Sequence, residues 1–266
     1  MTSNKVLFNL VISFITNITS SSSGSNVDNN NGSILIQSNK HRKQVGAAGV
    51  KSSSKSIGVV IGSTRKGRIG KDVAQWVIEQ SHIEPILKQY TNSSSSKVEL
   101  IDLLDINLPF YDESLSPAEL NGQLSSENAL KWSKLMSSYD AYIILTAEYN
   151  RGPVPVLLNA IDYLYAEIKQ KPMVLISYGY TQGGIRANEH LADMLENSFL
   201  SMKILSRLHL PIREDMFVVK SFDSNSNSNS NSNTRYKQLK DINNSFKPYL
   251  VDLNQSVAQL LHFISS

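Results

Sequence analysis

The loop Gly62–Gly70 combines the groups with which proteins hold a phosphate. It follows an apolar run and opens a segment of helical periodicity, so its backbone N–H groups are unpaired and the helix dipole favours an anion there. Ser63 and Thr64 add hydroxyl donors to these N–H groups. Arg65 and Arg68 add planar cationic donors that match phosphate oxygens. The loop is therefore predicted to bind a phosphate group.

Two common nucleotide-binding patterns do not match this loop. The Rossmann G-x-G-x-x-G places a second glycine two residues after the first, where this chain has Thr64. The Walker pattern matches both glycines but then needs lysine and a hydroxyl residue, whereas Arg68 and Ile69 stand there. Without that hydroxyl there is no Mg²⁺ ligand, which argues against a nucleotide triphosphatase. An ordinary glycine-rich turn with solvated arginines is the alternative interpretation.

A second polar loop, residues 146–153, follows the apolar run Ala141–Leu145. Tyr149 could offer an aromatic face to a planar ligand. Asn150 and the neighbouring backbone could supply donors and acceptors to the edge of a heterocycle. Taken alone, this loop is equally well explained as a helix-start turn capped by asparagine.

A third loop, residues 177–184, follows the apolar run Met173–Ile176 and contains three glycines. Glycines after a buried strand indicate a close approach of the backbone to a ligand, although a flexible turn would also use them. Three such loops at successive strand ends are harder to explain as turns. One loop would hold a phosphate and the other two would enclose a flat ring, which is typical of a mononucleotide such as FMN.

Short apolar runs that suit buried strands alternate with segments of helical spacing. The predicted strands are Ile57–Ile61, Val98–Leu104, Ala141–Leu145 and Met173–Ile176, with either Lys203–Leu205 or Met216–Val219 as the fifth. This alternation predicts an α/β fold with a doubly wound five-stranded parallel sheet, order 2-1-3-4-5, and helices on both faces. In such a fold the ligand binds at the carboxyl edge of the strands, where all three loops lie.

Composition divides the chain into four segments. Residues 19–33 and 221–234 are mostly Ser and Asn and carry too little apolar surface to fold. We predict a disordered or targeting leader at 1–55, the α/β domain at 56–220, a low-complexity linker at 221–234 and a C-terminal helical segment at 235–266. In the leader, Val6–Ile18 has some character of a signal peptide but is too short to span a bilayer. A leader without function is the alternative.

Charge and composition exclude several classes of function. The 266-residue chain has a net charge of only +3 and no basic run interleaved with aromatics, so we predict no nucleic-acid binding. It has no cysteine, which excludes disulfides, thiolate catalysis and cysteine metal sites. Its five histidines are not spaced as metal ligands, so no metal is predicted. Stable membrane insertion is not predicted, and the cytoplasm is the default location.

The motifs resemble those of the NADPH-dependent FMN reductase family, which includes flavodoxin-like quinone, azo and chromate reductases. The segments that carry the resemblance are Gly62–Arg65, Glu148–Asn150, Asn159–Asp162, Ser177–Gly179, Gly183–Gly184 and Arg186–Ala187. They occur in the family's order and spacing between about Ser56 and Phe217. Two positions depart from the family pattern: Ala147 replaces a proline, and Leu158 replaces a lysine.

The resemblance implies a set of FMN contacts and no catalytic side chain, since the cofactor carries the chemistry. Ser63, Arg65 and Arg68 would hold the phosphate, and Thr64 and Ile69 belong to the same cofactor-binding set. The residues implied to contact the ribityl chain and the ring are Ala147, Glu148, Tyr149 and Asn150. Those implied to line the other edge of the isoalloxazine are Ser177, Gly179 and Gly183.

The resemblance also implies a reaction and an assembly. The enzyme would take a hydride from NADPH or NADH and pass two electrons through FMN to a quinone, azo compound, free flavin or metal oxyanion. It would be a homodimer or tetramer. A flavodoxin-type electron carrier is one alternative, although the basic loop with Arg65, Lys66 and Arg68 better suits a phosphorylated dinucleotide. A flavin-dependent regulatory or binding module is the other.

Overall fold

The computed structural model describes residues 53–221 and 235–265. At its centre lies a five-stranded parallel sheet with the order β2-β1-β3-β4-β5. The strands are β1 (Ser56–Ile61), β2 (Lys97–Asp102), β3 (Ala141–Ala147), β4 (Pro172–Gly179) and β5 (Lys203–Pro211). β3 and β4 are buried along their whole length, so helices must cover both faces of the sheet and the sequence shows unbroken apolar runs. The predicted fold and strand order are confirmed.

The fifth strand is the first of the two candidates. Lys203–Leu205 begins β5, which pairs with β4 as far as Pro211. Met216–Val219 lies outside the main sheet, because β6 (Phe217–Ser221) pairs antiparallel with β7 (Arg235–Leu239). β5 is an edge strand with several half-exposed positions, so it lacks the continuous apolar run that marks β3 and β4.

Nine α-helices occur in the two described ranges, accompanied by short 3₁₀ turns. They are α1 (Gly70–Ser81), α2 (Ile83–Tyr90), α3 (Leu103–Ile106), α4 (Pro117–Leu120), α5 (Glu127–Ser137), α6 (Pro155–Asp162), α7 (Ile185–Glu196), α8 (Ile242–Phe246) and α9 (Leu250–Ser265). α3 takes the end of the predicted strand Val98–Leu104. It begins there because the Asp102 carboxylate accepts a hydrogen bond from the Leu104 N–H and caps a new helix.

The C-terminal helix α9 belongs to the same core as the sheet. Leu253, Val257 and Leu261 are fully buried, and the helix packs against β4, β5, α1 and α2. Phe246, just before it, lies edge-on to Trp76 of α1 with ring centroids 5.3 Å apart. The predicted boundary after residue 220 therefore separates two stretches of chain that share one hydrophobic core. The predicted linker lies almost entirely outside the described residues, and so does the leader segment Val6–Ile18.

The described residues contain neither a membrane-spanning helix nor a cluster of side chains placed to hold a metal ion. No helix in residues 53–221 or 235–265 is long and apolar enough to cross a membrane. No group of three or more histidine, aspartate or glutamate side chains in these ranges is placed to hold a metal ion. Whether residues 1–55 act in targeting remains a prediction.

Candidate functional site

The three predicted loops meet at the carboxyl edge of β1, β3 and β4 and line a cavity of about 260 Å³. Seven residues of the predicted set line it: Arg65, Arg68, Ile69, Ala147, Glu148, Tyr149 and Gly179. Five others, Ser63, Thr64, Asn150, Ser177 and Gly183, do not contribute to its lining. The cavity lies where the direction of winding reverses, since β2 pairs with one edge of β1 and β3 pairs with its other edge. A doubly wound sheet is expected to bind its ligand at this point.

Ser63 lies beneath the start of α1 with only 1% of its surface exposed. Its Oγ accepts a hydrogen bond from the Tyr178 hydroxyl at 2.9 Å. Within the described residues, no hydrogen bond engages the Ser63 proton or the backbone N–H groups of residues 63–66. These donors lie just before the start of α1, and the N-terminus of a helix carries partial positive charge. The loop is therefore a suitable site for an anion.

Arg68 is held by Asp102 at the end of β2. Its Nη1 and Nη2 donate to the two carboxylate oxygens at 2.7 and 2.6 Å, and both side chains are largely buried. Nη1 also donates to the Ser63 carbonyl. Arg68 thus fixes the loop Gly62–Gly70, which we call the phosphate loop after its predicted ligand, to the neighbouring strand. The predicted role of Arg68 as a direct phosphate ligand competes with its ion pair to Asp102. Sequence reasoning missed the pairing because Asp102 lies 34 residues away in the chain.

Arg65 is exposed and reaches across to the second loop. Its Cζ lies 3.8 Å from the centroid of the Tyr149 ring, a cation–π contact. No acidic side chain in the part of the chain that the structure describes forms an ion pair with it. Arg65 is therefore the arginine of this loop whose guanidinium can turn to a phosphate without breaking a salt bridge.

The second loop turns sharply through Asn150 and Arg151. Tyr149 and Gly152 exchange both backbone hydrogen bonds at 3.0 Å, and the two residues between them have φ values of 50° and 66°. This is the two-residue hairpin geometry with two left-handed residues, which asparagine tolerates well. Asn150 is exposed in this turn, and the next helix begins later, at Pro155, with Val154 before it. The alternative in which Asn150 caps that helix is therefore wrong.

The side chain of Glu148 caps the N-terminus of α7. Its Oε2 accepts hydrogen bonds from the backbone N–H groups of Arg186 and Ala187 at 3.2 and 3.3 Å. Gly184, at the N-cap position, has no side chain that could do this. The carboxylate therefore supplies the cap and the negative charge that a helix N-terminus favours, while its side chain also forms part of the cavity wall. Sequence reasoning could not find this contact, which joins residues 38 positions apart.

In the third loop, Gly179 lines the cavity, while Ser177 and Gly183 hold β4 and the turn against β5. Ser177 is fully buried, with its Oγ 2.9 Å from Nδ1 of His209, and burial lowers the pKa of that histidine. Gly183 has φ +67°, and a Cβ there would lie 2.6 Å from the Leu210 backbone nitrogen. Close packing on β5 explains why residue 183 is glycine.

The β6–β7 hairpin forms one wall of the cavity, which sequence reasoning missed. Lys237 of β7 lines it, pairs with Glu214 at 2.6 Å and donates to the Tyr180 hydroxyl at 3.2 Å. At Gly67, with φ +69°, a Cβ would lie 2.6 Å from Cβ of Tyr236, so β7 also supports the phosphate loop. The hairpin was missed because the Ser-Asn stretch separates its two strands in the sequence.

Residues 56–215, which carry all three loops, match the model of the NADPH-dependent FMN reductase family. The chain belongs to this family. A curated NAD(P)H-dependent FMN reductase of Nectria sp is 40% identical over 142 residues, covering 53% of this chain and 67% of the relative. Another, from Saccharomyces cerevisiae, is 31% identical over 163 residues, covering 59% of this chain and 80% of the relative.

A solved structure agrees with the fold. An oxidoreductase from Corynebacterium diphtheriae aligns with a TM-score of 0.51 at 7% identity, covering 79% of this chain and 97% of that one. At that identity the likeness supports the fold alone. Family membership confirms the flavodoxin-like resemblance noted in the sequence. It also confirms the prediction of an oxidoreductase, in a family defined by FMN and NADPH.

Proposed function

We propose that this protein binds FMN in the three-loop cavity and passes two electrons from NADPH or NADH to a quinone or another small flat acceptor. The observation that carries the proposal is the convergence of unpaired donors and flat side chains at one sheet edge, in a chain of the FMN reductase family. Azo compounds, free flavin and metal oxyanions are further candidate acceptors. The bound flavin would supply the hydride and electron chemistry.

The first loop suits the phosphate of a mononucleotide. The Ser63 proton and the N–H groups of residues 63–66 have no acceptor among the described residues, and they lie at the start of the twelve-residue helix α1. Arg65 adds a mobile positive charge. Phosphate oxygens can accept from all of these groups, whereas a neutral ligand would leave several of them unpaired.

The opposite part of the cavity suits a flat ring. Tyr149 forms one side, and Tyr180 and Phe217 form another, with their ring centroids 6.2 Å apart. Gly179 also lines the cavity, with backbone atoms alone because it has no side chain. Arg65, which forms no ion pair with an acidic side chain of the described residues, adds a positive charge to the cavity, which favours an anionic dinucleotide as the electron donor.

The protein is further proposed to be cytoplasmic and to form a homodimer or tetramer. A subunit interface that included Phe110, which is 83% exposed, or Phe199, which is 87% exposed, would remove a large apolar side chain from water. Light scattering of the purified protein would determine the oligomeric state. Fractionation of cells that produce the full chain would test its location and any targeting by residues 1–55.

The central test is the flavin content and turnover of the purified full-length protein. We expect a yellow protein that releases FMN on denaturation, not FAD, because residues 53–221 and 235–265 contain one phosphate loop and no second mononucleotide-binding half. It should oxidise NADPH or NADH in the presence of a small quinone. A colourless protein that does not take up added FMN would contradict the proposal. FMN binding without NAD(P)H oxidation would instead favour an electron carrier or a binding module.

A further inference from the structure

We propose that Tyr178 is a positioning residue for the flavin phosphate, because its hydroxyl occupies one side of Ser63 Oγ and directs the Ser63 proton into the phosphate loop. The inference rests on the FMN site proposed above and assigns a role to a buried side chain of β4 in the wall of that site. Tyr178 would act through Ser63 and not by touching the phosphate itself.

The polarity of the hydrogen bond follows from the burial of Tyr178. The residue is 4% exposed, and its hydroxyl donates to Ser63 Oγ at 2.9 Å. Burial raises the pKa of Tyr178, so the phenol keeps its proton and has to donate it. Ser63 Oγ is the acceptor that the described residues provide for it.

Ser63 is left with one donor and nothing in the described residues to accept it. A serine hydroxyl carries one proton and two lone pairs, and Tyr178 uses one lone pair. The Ser63 proton cannot return to Tyr178, and the N–H groups of residues 63–66 cannot accept it, because they are donors as well. A buried hydroxyl proton needs an acceptor to be satisfied. The phosphate of FMN would provide it.

Gly70 leaves the space that this hydroxyl pair occupies. It is the first residue of α1, and a Cβ there would lie 2.3 Å from Ser63 Oγ and 2.7 Å from the Tyr178 hydroxyl oxygen. Its φ is not in the left-handed region, so backbone conformation alone does not require glycine. Alanine would even favour the helix by about 1 kcal/mol. The contact with the two hydroxyls is what excludes a side chain.

The test compares FMN with riboflavin, which lacks only the phosphate, by titrating the flavin-free full-length protein. Tyr178→Phe keeps the ring and removes the hydroxyl. We expect it to raise the Kd for FMN about tenfold and to change the Kd for riboflavin less than about twofold. Ser63→Ala should behave in the same way. The double variant should bind FMN no more weakly than Ser63→Ala alone, because both changes remove one chain of hydrogen bonds.

Tyr142→Phe is the matched control. Tyr142 is fully buried on the adjacent strand β3, and its hydroxyl donates to the Met136 carbonyl, away from the phosphate loop. It should leave the preference for FMN over riboflavin unchanged. Thermal unfolding of each variant checks that it folds. If Tyr178→Phe does not fold, Gly70→Ala approaches the same oxygen from α1 and should also weaken FMN binding selectively.

Each other outcome overturns a defined part of the argument. An equal loss of FMN and riboflavin binding in Tyr178→Phe, or additive losses in the double variant, would assign Tyr178 a merely structural role. Wild-type protein that binds both flavins equally would mean that the loop holds no phosphate, which overturns the inference but not flavin binding. Wild-type protein that binds neither flavin would overturn the proposed function, and this inference with it.

Discussion

The guanidinium of Arg65 lies over the ring of Tyr149, with Cζ 3.8 Å from the centroid, and joins the phosphate loop to the second loop. A ligand that stacks on this face of Tyr149 has to displace Arg65. The displaced guanidinium is then free for a phosphate held by the first loop. Ring binding and phosphate binding are thus expected to be linked through this one pair of side chains.

The two arginines of the loop are expected to respond differently to truncation. Arg65→Ala should weaken FMN binding by about 1.5–3 kcal/mol, the range for a charged hydrogen bond, with little effect on stability. Arg68→Ala should lower the free energy of unfolding by roughly 3 kcal/mol, because it leaves Asp102 unpaired and largely buried. Flavin titration and chemical denaturation of both variants measure these effects. Unchanged FMN affinity in Arg65→Ala would mean that the loop binds something else.

Glu148 is expected to contribute to stability through α7. Glu148→Ala removes the acceptor for the Arg186 and Ala187 N–H groups and should cost about 1 kcal/mol, the usual effect of losing a helix cap. Glu148→Gln keeps an oxygen acceptor and should lose less. Urea denaturation tests this, with Glu79→Ala, an exposed glutamate on α1, as the control. Equal losses in the alanine and control variants would contradict the capping role.

Acid is expected to destabilise the fold through His209. Burial lowers its pKa below the ordinary value of 6.5, so the unfolded chain binds a proton before the folded chain does. The contribution of neutral His209 is therefore complete above about pH 6.5 and is lost as the pH falls below that value. His209→Gln should flatten this part of the curve of unfolding free energy against pH. An unchanged curve in His209→Gln would contradict this prediction.

The two ends of the chain are expected to differ in importance. A chain that ends at Lys220 should not fold, because it lacks α9, whose Leu253 and Val257 are buried against the sheet. A chain that lacks residues 1–54 should keep its flavin content and its melting temperature. Solubility, circular dichroism and visible absorbance of both truncations provide the measurement. A flavin-free protein after removal of the leader would show that Val6–Ile18 contributes to the domain.

The proposed enzyme is expected to show ping-pong kinetics with NADPH and a small quinone. The bound flavin would present one open face to a flat substrate, so donor and acceptor would use the same place in turn. Double-reciprocal plots at several quinone concentrations should give parallel lines. Intersecting lines would indicate that both substrates bind at the same time. If neither NADPH nor NADH bleached the flavin absorbance, the proposed enzymatic function would be contradicted.

Buried strands and the loops at their ends could be predicted from the sequence, whereas contacts between residues far apart in the chain could not. β3 and β4 were predictable because both faces are buried, whereas β5 was ambiguous because an edge strand keeps polar residues. The loops were predictable as strand ends rich in donors and glycine. The partners of their side chains were not, because Asp102 holds Arg68 across 34 residues and α7 holds Glu148 across 38. Such contacts depend on which strands become neighbours.

The contact of β7 with Gly67 has a consequence for the order in which the protein matures. The phosphate loop is synthesised first, and Tyr236 and Lys237, which support and flank it, follow only after all five strands of the main sheet. The core also needs α9, which follows β7 in the chain. The cofactor site is therefore expected to be completed in the same late step as the core, after β7 and α9 have been synthesised.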